Sequence, residues 1–504
     1  MWLTQLLDRN RRCYGETIAL VDERRSLTWR ELDEQVRAIA GALLRLGLRP
    51  GDRVVIASRD RTEAVEAYFA LARIGAAFVP VNPGLPALEA DRIVRQVKAA
   101  AVIGESAAPG DRLAFDVPVV LDLDGPWFAA PGPPACDGLL PDVRPDDIAA
   151  IMHTSATTGS AKGIVWDHRS LMHVCLSWLA VAEPDDDMTF INCSPLYHGS
   201  LAMSFTYLAA GARQVLLPYP GPAEVLRAIE RHRATHVWLV PDMLHQLTRA
   251  AVTERHDTAS LREIVYGGAP TPWPVYAGAA GVFGCGFRQA YGVTEAGGHL
   301  AMLGPREHPP AAGQAPRGGL ISAGRPLPGV SVRIKTPAGA ESAGGEIGEV
   351  CVRSDSLMRG YWDDPRSTAD VTRDGWLSTG DLGRIDDDGF LWLSGRCVDL
   401  IRTDGHDIRP ADIERVLRTH NGVADSAVVG RPDPAYGEVP IAYVVPAGVP
   451  QLPTTGELVR LVAAELASHQ VPASITFLDD LPRNAVGKVL RHVLRDMALS
   501  HPAL

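Results

Sequence analysis

The chain has 504 residues, 46% hydrophobic and 22% charged, with a net charge of −11 at pH 7. That length exceeds what one compact core accommodates and predicts two or three domains. The acidic balance argues against a general nucleic-acid binder, whose surface is basic. No apolar run reaches the roughly 18 residues of a membrane-spanning helix, and the N-terminal MWLTQLLDRNRRC lacks the apolar core of a signal peptide. The seven cysteines are scattered without a CxxC pair, so neither a zinc site nor a disulfide framework is expected, and the composition fits a cytoplasmic protein.

The predicted elements begin with a helix. LTWRELDEQVRAIAGALLRLG places Leu32, Val36, Ile39, Leu43 and Leu46 at helical spacing and stops at Gly47. Pro50 and Gly51 turn the chain into RVVIAS, a buried strand; TEAVEAYFALARIG then reads as a helix and AAFVPV as a second strand. This alternation predicts a largely parallel sheet. Residues 122–147, rich in Pro, Gly and Asp, read as a connecting loop. The α/β rhythm resumes over 210–300, with RQVLL, THVWLV, REIVYGG and FRQAYG as strands. Short strands and tight turns over 320–395 (EIGEVCVRS, GRIDDDGFLWLSG) predict a small β-rich unit. From Arg396 onward comes an α+β tail: helix RPADIERVLRTH, strands VADSAVVG and VPIAYVVP, and helix TTGELVRLVAAELASH.

The segment TSATTGSAKG, Thr154 to Gly163, concentrates hydroxyls, glycines and a lysine between the apolar runs IAAIM and IVW. Such a loop can aim backbone N–H groups and hydroxyls at phosphate oxygens, the lysine adding a point charge; a plain Gly/Ser turn is the alternative. It is not a P-loop of the GxxxxGK[ST] kind. Gly159 stands three residues before Lys162, no Ser or Thr follows the lysine, and GIVWDH reads as a strand.

Four further segments accompany it: YGVTE (Tyr291 to Glu295), STGD (Ser378 to Asp381), GRCVDLIRTDGHDIRPADIE and PRNAVGKVLR (Pro482 to Arg491). In this order and spacing the five blocks resemble the signatures of the adenylate-forming superfamily, over residues 15–495. That superfamily holds acyl- and aryl-CoA synthetases, peptide-synthetase adenylation domains and firefly luciferases. The resemblance implies an α/β fold: a large multi-subdomain N-terminal AMP-binding domain over 1–395 and a small, mobile α+β lid over 396–504. It implies ATP- and Mg²⁺-dependent activation of a small carboxylic acid as acyl-AMP. The site must then offset the charge of a carboxylate meeting a polyphosphate.

By resemblance, Thr154, Ser155, Thr157, Thr158, Gly159 and Lys162 hold the β- and γ-phosphates, and Thr294 touches the α-phosphate. Glu295 binds Mg²⁺, a hard cation that takes oxygen ligands. Tyr291, Gly292 and the turn carrying Gly268, Ala269 and Pro270 form the adenine slot; Asp381 accepts from the ribose hydroxyls beside Arg396. Lys488 reaches the substrate carboxylate and the α-phosphate together, and His198, in SPLYHGS, stands next to the acyl site. Gly199 occupies the place where amino-acid-selecting domains usually carry an aspartate, which argues against an α-amino acid.

Four positions depart from the pattern: Ala156 and Ala161 in the phosphate loop, Val398 at the expected hinge, and a single Gly405 where many CoA ligases have two glycines. The second step reads first as transfer to CoA. Direct amide formation with an amine is the alternative, and loading of a carrier protein comes third; that carrier is expected to be a separate protein, since the sequence after Lys488 has no room for a carrier domain. An inactive nucleotide-binding protein is opposed by the presence of Lys488, Glu295 and Asp381 together.

Overall fold

The computed structural model describes residues 2–105, 117–129, 140–153, 162–184, 187–313, 321–336, 339–342, 344–448, 452–483 and 489–500. The first expected helix forms over Trp29–Arg45, and Thr28 caps it. The Thr28 hydroxyl accepts the Glu31 N–H at 3.2 Å while the Glu31 carboxylate accepts the Thr28 N–H at 2.8 Å, satisfying two N–H groups that the helix itself cannot. Its apolar stripe, Leu32, Val36, Ile39 and Leu43, is buried, and the helix packs on Thr62–Arg73.

The α/β units divide between two sheets. In one, Arg53–Ala57, Ala77–Val81, Ala101–Gly104 and Val119–Asp122 run parallel; Ile148–His153 joins them in parallel, and Gly163–Asp167 returns antiparallel. In the other, Gly286–Tyr291, Glu263–Gly267, His236–Leu239, Thr189–Asn192, Arg213–Leu216 and Ile18–Val21 lie side by side in parallel. The N-terminal strand thus crosses to residues 213–216 of the second sheet, a pairing that no local pattern announces.

Helices His168–Ala182 and Ser200–Ala210 share one core with both sheets. Phe205 meets Phe69 edge-on at 5.5 Å and Phe78 at 6.2 Å, and the same core takes Met152 and Trp166 from one sheet and Leu20 and Leu216 from the other. Each such buried side chain contributes about 1.5–3 kcal/mol by leaving water. The β-rich unit forms a sheet of Ser331–Lys335, Gly348–Arg353, Trp376–Ile385, Thr372–Arg373 and Leu391–Arg396. The tail forms its own sheet of Ile401–Thr403, His406–Ile408, Val423–Asp433, Gly437–Pro446 and Ser474–Phe477, against which helices Pro410–Leu417 and Thr455–Glu465 bury Ile413, Val416, Leu458 and Val462.

Burial leaves six histidines uncharged. Desolvation pushes His153, His168, His198, His236, His299 and His308 down to about 4, below the ordinary 6.5. A depressed folded-state value means that the unfolded chain binds more protons through this window. The stability these groups contribute is complete above the unfolded value and is lost as the pH falls toward 4. Buried Asp60 and Glu66, pushed up to about 7, act in the opposite sense and offset part of it. The expected result is a thermal midpoint about 5–10 °C lower at pH 5 than at pH 7 by calorimetry. A midpoint at pH 5 equal to or above that at pH 7 would contradict neutral burial of these rings.

Candidate active site

Parallel strands open their carboxyl ends onto a crevice, and two of the sequence segments singled out above sit there. Tyr291 is the last residue of its strand, and its hydroxyl donates to Asp381 Oδ2 at 2.8 Å. Arg396 Nε donates to Asp381 Oδ1 at 2.9 Å. Asp381 and Arg396 are cross-strand partners in the β-rich sheet, so a pair from one sheet meets an aromatic from another. The Thr379 hydroxyl holds the Asp381 backbone, accepting the Asp381 N–H at 3.1 Å and donating to the Val350 carbonyl at 2.7 Å. Burial, with Asp381 alongside, holds the Tyr291 hydroxyl well above its ordinary value. The phenol therefore stays protonated and remains a donor.

After Tyr291 the chain folds tightly back on itself. A Cβ on Gly292 would lie 1.5 Å from the Gly298 carbonyl oxygen and 2.9 Å from the His299 Cα. Gly298 takes φ +118°, open to glycine and strained for any other residue. Between them Thr294–Ala296 form a 3₁₀ turn held on three sides. The Trp166 indole donates to the Thr294 carbonyl at 2.9 Å, Met358 N–H donates to the Glu295 carbonyl at 2.8 Å, and the Tyr361 hydroxyl donates to Glu295 Oε1 at 3.1 Å.

Tyr361 was not anticipated from the sequence. It lies in the two-residue strand Gly360–Tyr361, which pairs antiparallel with Gly163–Asp167, the strand that follows the phosphate-type loop. Lys162 Nζ stands 4.7 Å above the Tyr361 ring, a favourable cation–π arrangement. Lys162, Tyr361 and Glu295 thus stand in line. A tyrosine in RGYWDD carries no chemical signature of its own, and only strand pairing brings it to the site.

His198 sits in the turn that leads into helix Ser200–Ala210, its ring 4.7 Å from that of Tyr197. Burial alone pushes it down to about 4, so it acts as a neutral imidazole. Gly199 O lies 3.7 Å from where a Cβ on Gly298 would stand, so the His198 turn abuts the Gly292–Gly298 loop. Gly268, at φ +82°, begins the turn through Ala269 and Pro270 at the end of the neighbouring strand. Thr154, Ser155, Thr157, Thr158, Gly159 and Lys488 lie outside the described residues.

Among the described residues no three His, Cys, Asp or Glu side chains cluster to hold a metal. One carboxylate is nevertheless enough for Mg²⁺ when substrate phosphates and water complete its shell, and Glu295, half-buried and with one oxygen held by Tyr361, fits that description.

Comparison with known families gives two matches in series: AMP-binding enzyme over residues 7–362, and AMP-binding enzyme C-terminal domain over residues 412–488. The chain belongs to the AMP-binding enzyme family. It is 34% identical to the fatty acid–[acyl-carrier-protein] ligase ScoC of Streptomyces coeruleorubidus over 95% of this chain and 93% of that protein. It is 33% identical to a feruloyl-CoA synthase of Amycolatopsis sp, over 93% of this chain and 94% of that protein. The solved structure of the amide bond synthetase McbA from Marinactinospora thermotolerans superposes with a TM-score of 0.86 at 34% identity, covering 98% of this chain and 99% of that one. This AMP-binding enzyme is an AMP-forming ligase with the adenylate-forming fold, and it uses ATP. Among its described residues no helix is long and apolar enough to cross a membrane, and the described cysteines are all free.

Proposed function

We propose that this ligase activates a carboxylic acid as acyl-AMP in the crevice around Tyr291, Glu295 and Asp381 and then passes the acyl group to CoA. The observation that carries the reading is the convergence of Tyr291, Asp381 and Arg396 from two sheets beside the Tyr361–Glu295 pair. Asp381 offers its oxygens to the ribose hydroxyls, with Arg396 Nε 2.9 Å from Oδ1. The Tyr291 ring and the Gly268–Pro270 turn flank the adenine, and Gly292, having no side chain, lets the loop beside that slot fold back onto Gly298. Thr294 is assigned to the α-phosphate, and Lys162, with the hydroxyl residues Thr154, Ser155, Thr157 and Thr158, to the outer phosphates. Glu295 would hold Mg²⁺, which when bound supplies charge neutralisation to the phosphates. Neutral His198 borders the acyl group.

The Tyr361 hydroxyl fixes which Glu295 oxygen stays free. Tyr361→Phe keeps the ring under Lys162 and removes that bond, so kcat/KM for adenylation is expected to fall about 5-fold. The same variant should need more Mg²⁺ for half-maximal rate, whereas an unchanged Mg²⁺ dependence would dissociate Tyr361 from Glu295.

For the lid we propose a boundary at 396. Arg396 is tied to Asp381, whereas Asp399 is tied by Arg495 at 2.7 Å and Arg491 at 3.5 Å to the C-terminal helix Arg491–Ser500. Cys397 and Val398, the latter 54% exposed, lie between these two anchors and serve as the pivot, held by 3.4 Å bonds to their carbonyls from the Leu400 N–H and from Arg495, and a hinge can use many residue types.

Two acceptors compete with CoA. Val398 and the single Gly405 depart from the usual pattern of CoA ligases; the likeness to an amide bond synthetase favours an amine, and the likeness to ScoC favours a carrier protein. The deciding experiment is acid-dependent exchange of labelled pyrophosphate into ATP over aliphatic and aryl acids, followed by addition of CoA or amines with products read by mass spectrometry. Acyl-CoA released in step with AMP is the expected result. AMP release indifferent to CoA but raised by amines, with an amide formed, would replace CoA by the amine. No exchange with any acid would overturn adenylation.

A further inference from the structure

Directly behind Gly298 lies a group of polar atoms that the protein leaves unanswered. The His299 ring is wedged between two indoles, 5.1 Å from Trp178 and 6.3 Å from Trp238. All three side chains are more than nine-tenths buried, with His299 only 5% exposed. Yet His299 Nε2 and the indole N–H groups of Trp178 and Trp238 have no hydrogen-bond partner among the described residues. An orphaned buried donor costs free energy, and three within one ring-to-ring contact set point to something that completes them.

The surroundings say where that partner enters. A Cβ built on Gly199, beside His198, would meet nothing within 4 Å. A Cβ on Gly298 would meet only Ala202 Cβ at 3.2 Å and Gly199 O at 3.7 Å, and the Trp238 ring edge lies 3.2 Å from where a Cβ on Gly267 would stand. Small residues therefore line the way from the His198 turn to the His299 wall. Gly292, next to Tyr291 and the nucleotide side, touches the His299 backbone. The charged pair beside Trp178 is already matched: Arg288 is paired with Glu263 at 2.6 Å, with its guanidinium 5.9 Å from the Trp178 ring.

Indole N–H groups only donate, and a neutral imidazole donates from one nitrogen. We infer that the acid slot ends in a hydrogen-bonding wall of His299, Trp238 and Trp178, and that the enzyme selects a flat, ring-bearing carboxylic acid with an oxygen or nitrogen acceptor on the ring edge remote from the carboxylate. This rests on the adenylation reading above and adds to it the substrate class. His299 and Trp238 set specificity by contact with that remote edge.

The test is acid-dependent pyrophosphate exchange with matched pairs: benzoate against 4-methoxybenzoate, and cinnamate against 4-methoxycinnamate. The wild-type enzyme should prefer the oxygenated member of at least one pair by about 10-fold or more in kcat/KM, because a site built to pair a polar group discriminates against the analogue lacking it. His299→Leu, which keeps bulk and removes the nitrogens, should bring that ratio to within about 3-fold, chiefly by improving the unsubstituted acid. Trp238→Phe, which removes the N–H together with the five-membered ring of the indole, should lower the ratio as well, and it serves if His299→Leu does not fold. Exchange with both members of each pair at equal efficiency, or a ratio untouched in both variants, overturns the polar wall and leaves adenylation standing. Absence of exchange with every acid overturns the adenylation reading and this inference with it.

Discussion

Lys488→Ala is expected to lower acid-dependent pyrophosphate exchange by about 10²–10³-fold while leaving acyl transfer from supplied acyl-AMP within a few-fold of the wild type. The cation proposed to bridge the substrate carboxylate and the α-phosphate acts where their negative charges are forced together, in the first half-reaction. In the second, the anhydride is already formed, and the nucleophile approaches a carbonyl rather than a phosphate. The measurement is a pair of single-turnover assays, one from acid and ATP and one from synthetic acyl-AMP and the acceptor. Equal losses in both would place Lys488 in general lid positioning, and no loss in either would remove it from the chemistry.

Gly292→Ala is expected to abolish exchange and to destabilise the large domain by about 3 kcal/mol. The added methyl would stand 1.5 Å from a backbone carbonyl oxygen, an overlap that no rotamer relieves. The Thr294–Ala296 turn must then lift away, carrying Thr294 and Glu295 out of register with Tyr361 and Trp166. Gly199→Ala is the control, because its Cβ enters open space and its φ of −57° suits any residue. It should melt with the wild type while losing rate only with bulky acids. A Gly292→Ala protein that melts normally and still exchanges pyrophosphate would show that the loop has a second arrangement.

Much of this architecture was legible from residue order alone. Period-3.6 stripes such as Leu32, Val36, Ile39 and Leu43 marked the helices, and short apolar runs bounded by Gly and Pro marked the parallel strands, because burial of one face dictates both patterns. The change of texture after residue 320 corresponds to a separate antiparallel sheet. The site blocks were legible for a different reason: phosphate, ribose and carboxylate chemistry narrows the useful residue types to hydroxyls, acids, Lys, Arg and Gly. Asp381 and Arg396, picked out fifteen positions apart, prove to be cross-strand partners.

What only the tertiary structure decided are the relations across long sequence separations. The chain's own order does not say that Ile18–Val21 joins the sheet of residues 213–216, since any apolar strand satisfies the same local pattern and only the global packing chooses its neighbour. Tyr361 becomes a site residue through strand pairing with Gly163–Asp167, and His299 becomes an unanswered polar group only once Trp178 and Trp238 close around it. The resemblance of the five blocks to the adenylate-forming superfamily carried the family and the reaction type, and the α/β alternation carried the fold class, because those depend on which residues are present and in what order. Which side chains face one another across the crevice depends on sheet order and loop closure, long-range contacts whose selection is a property of the whole packed core.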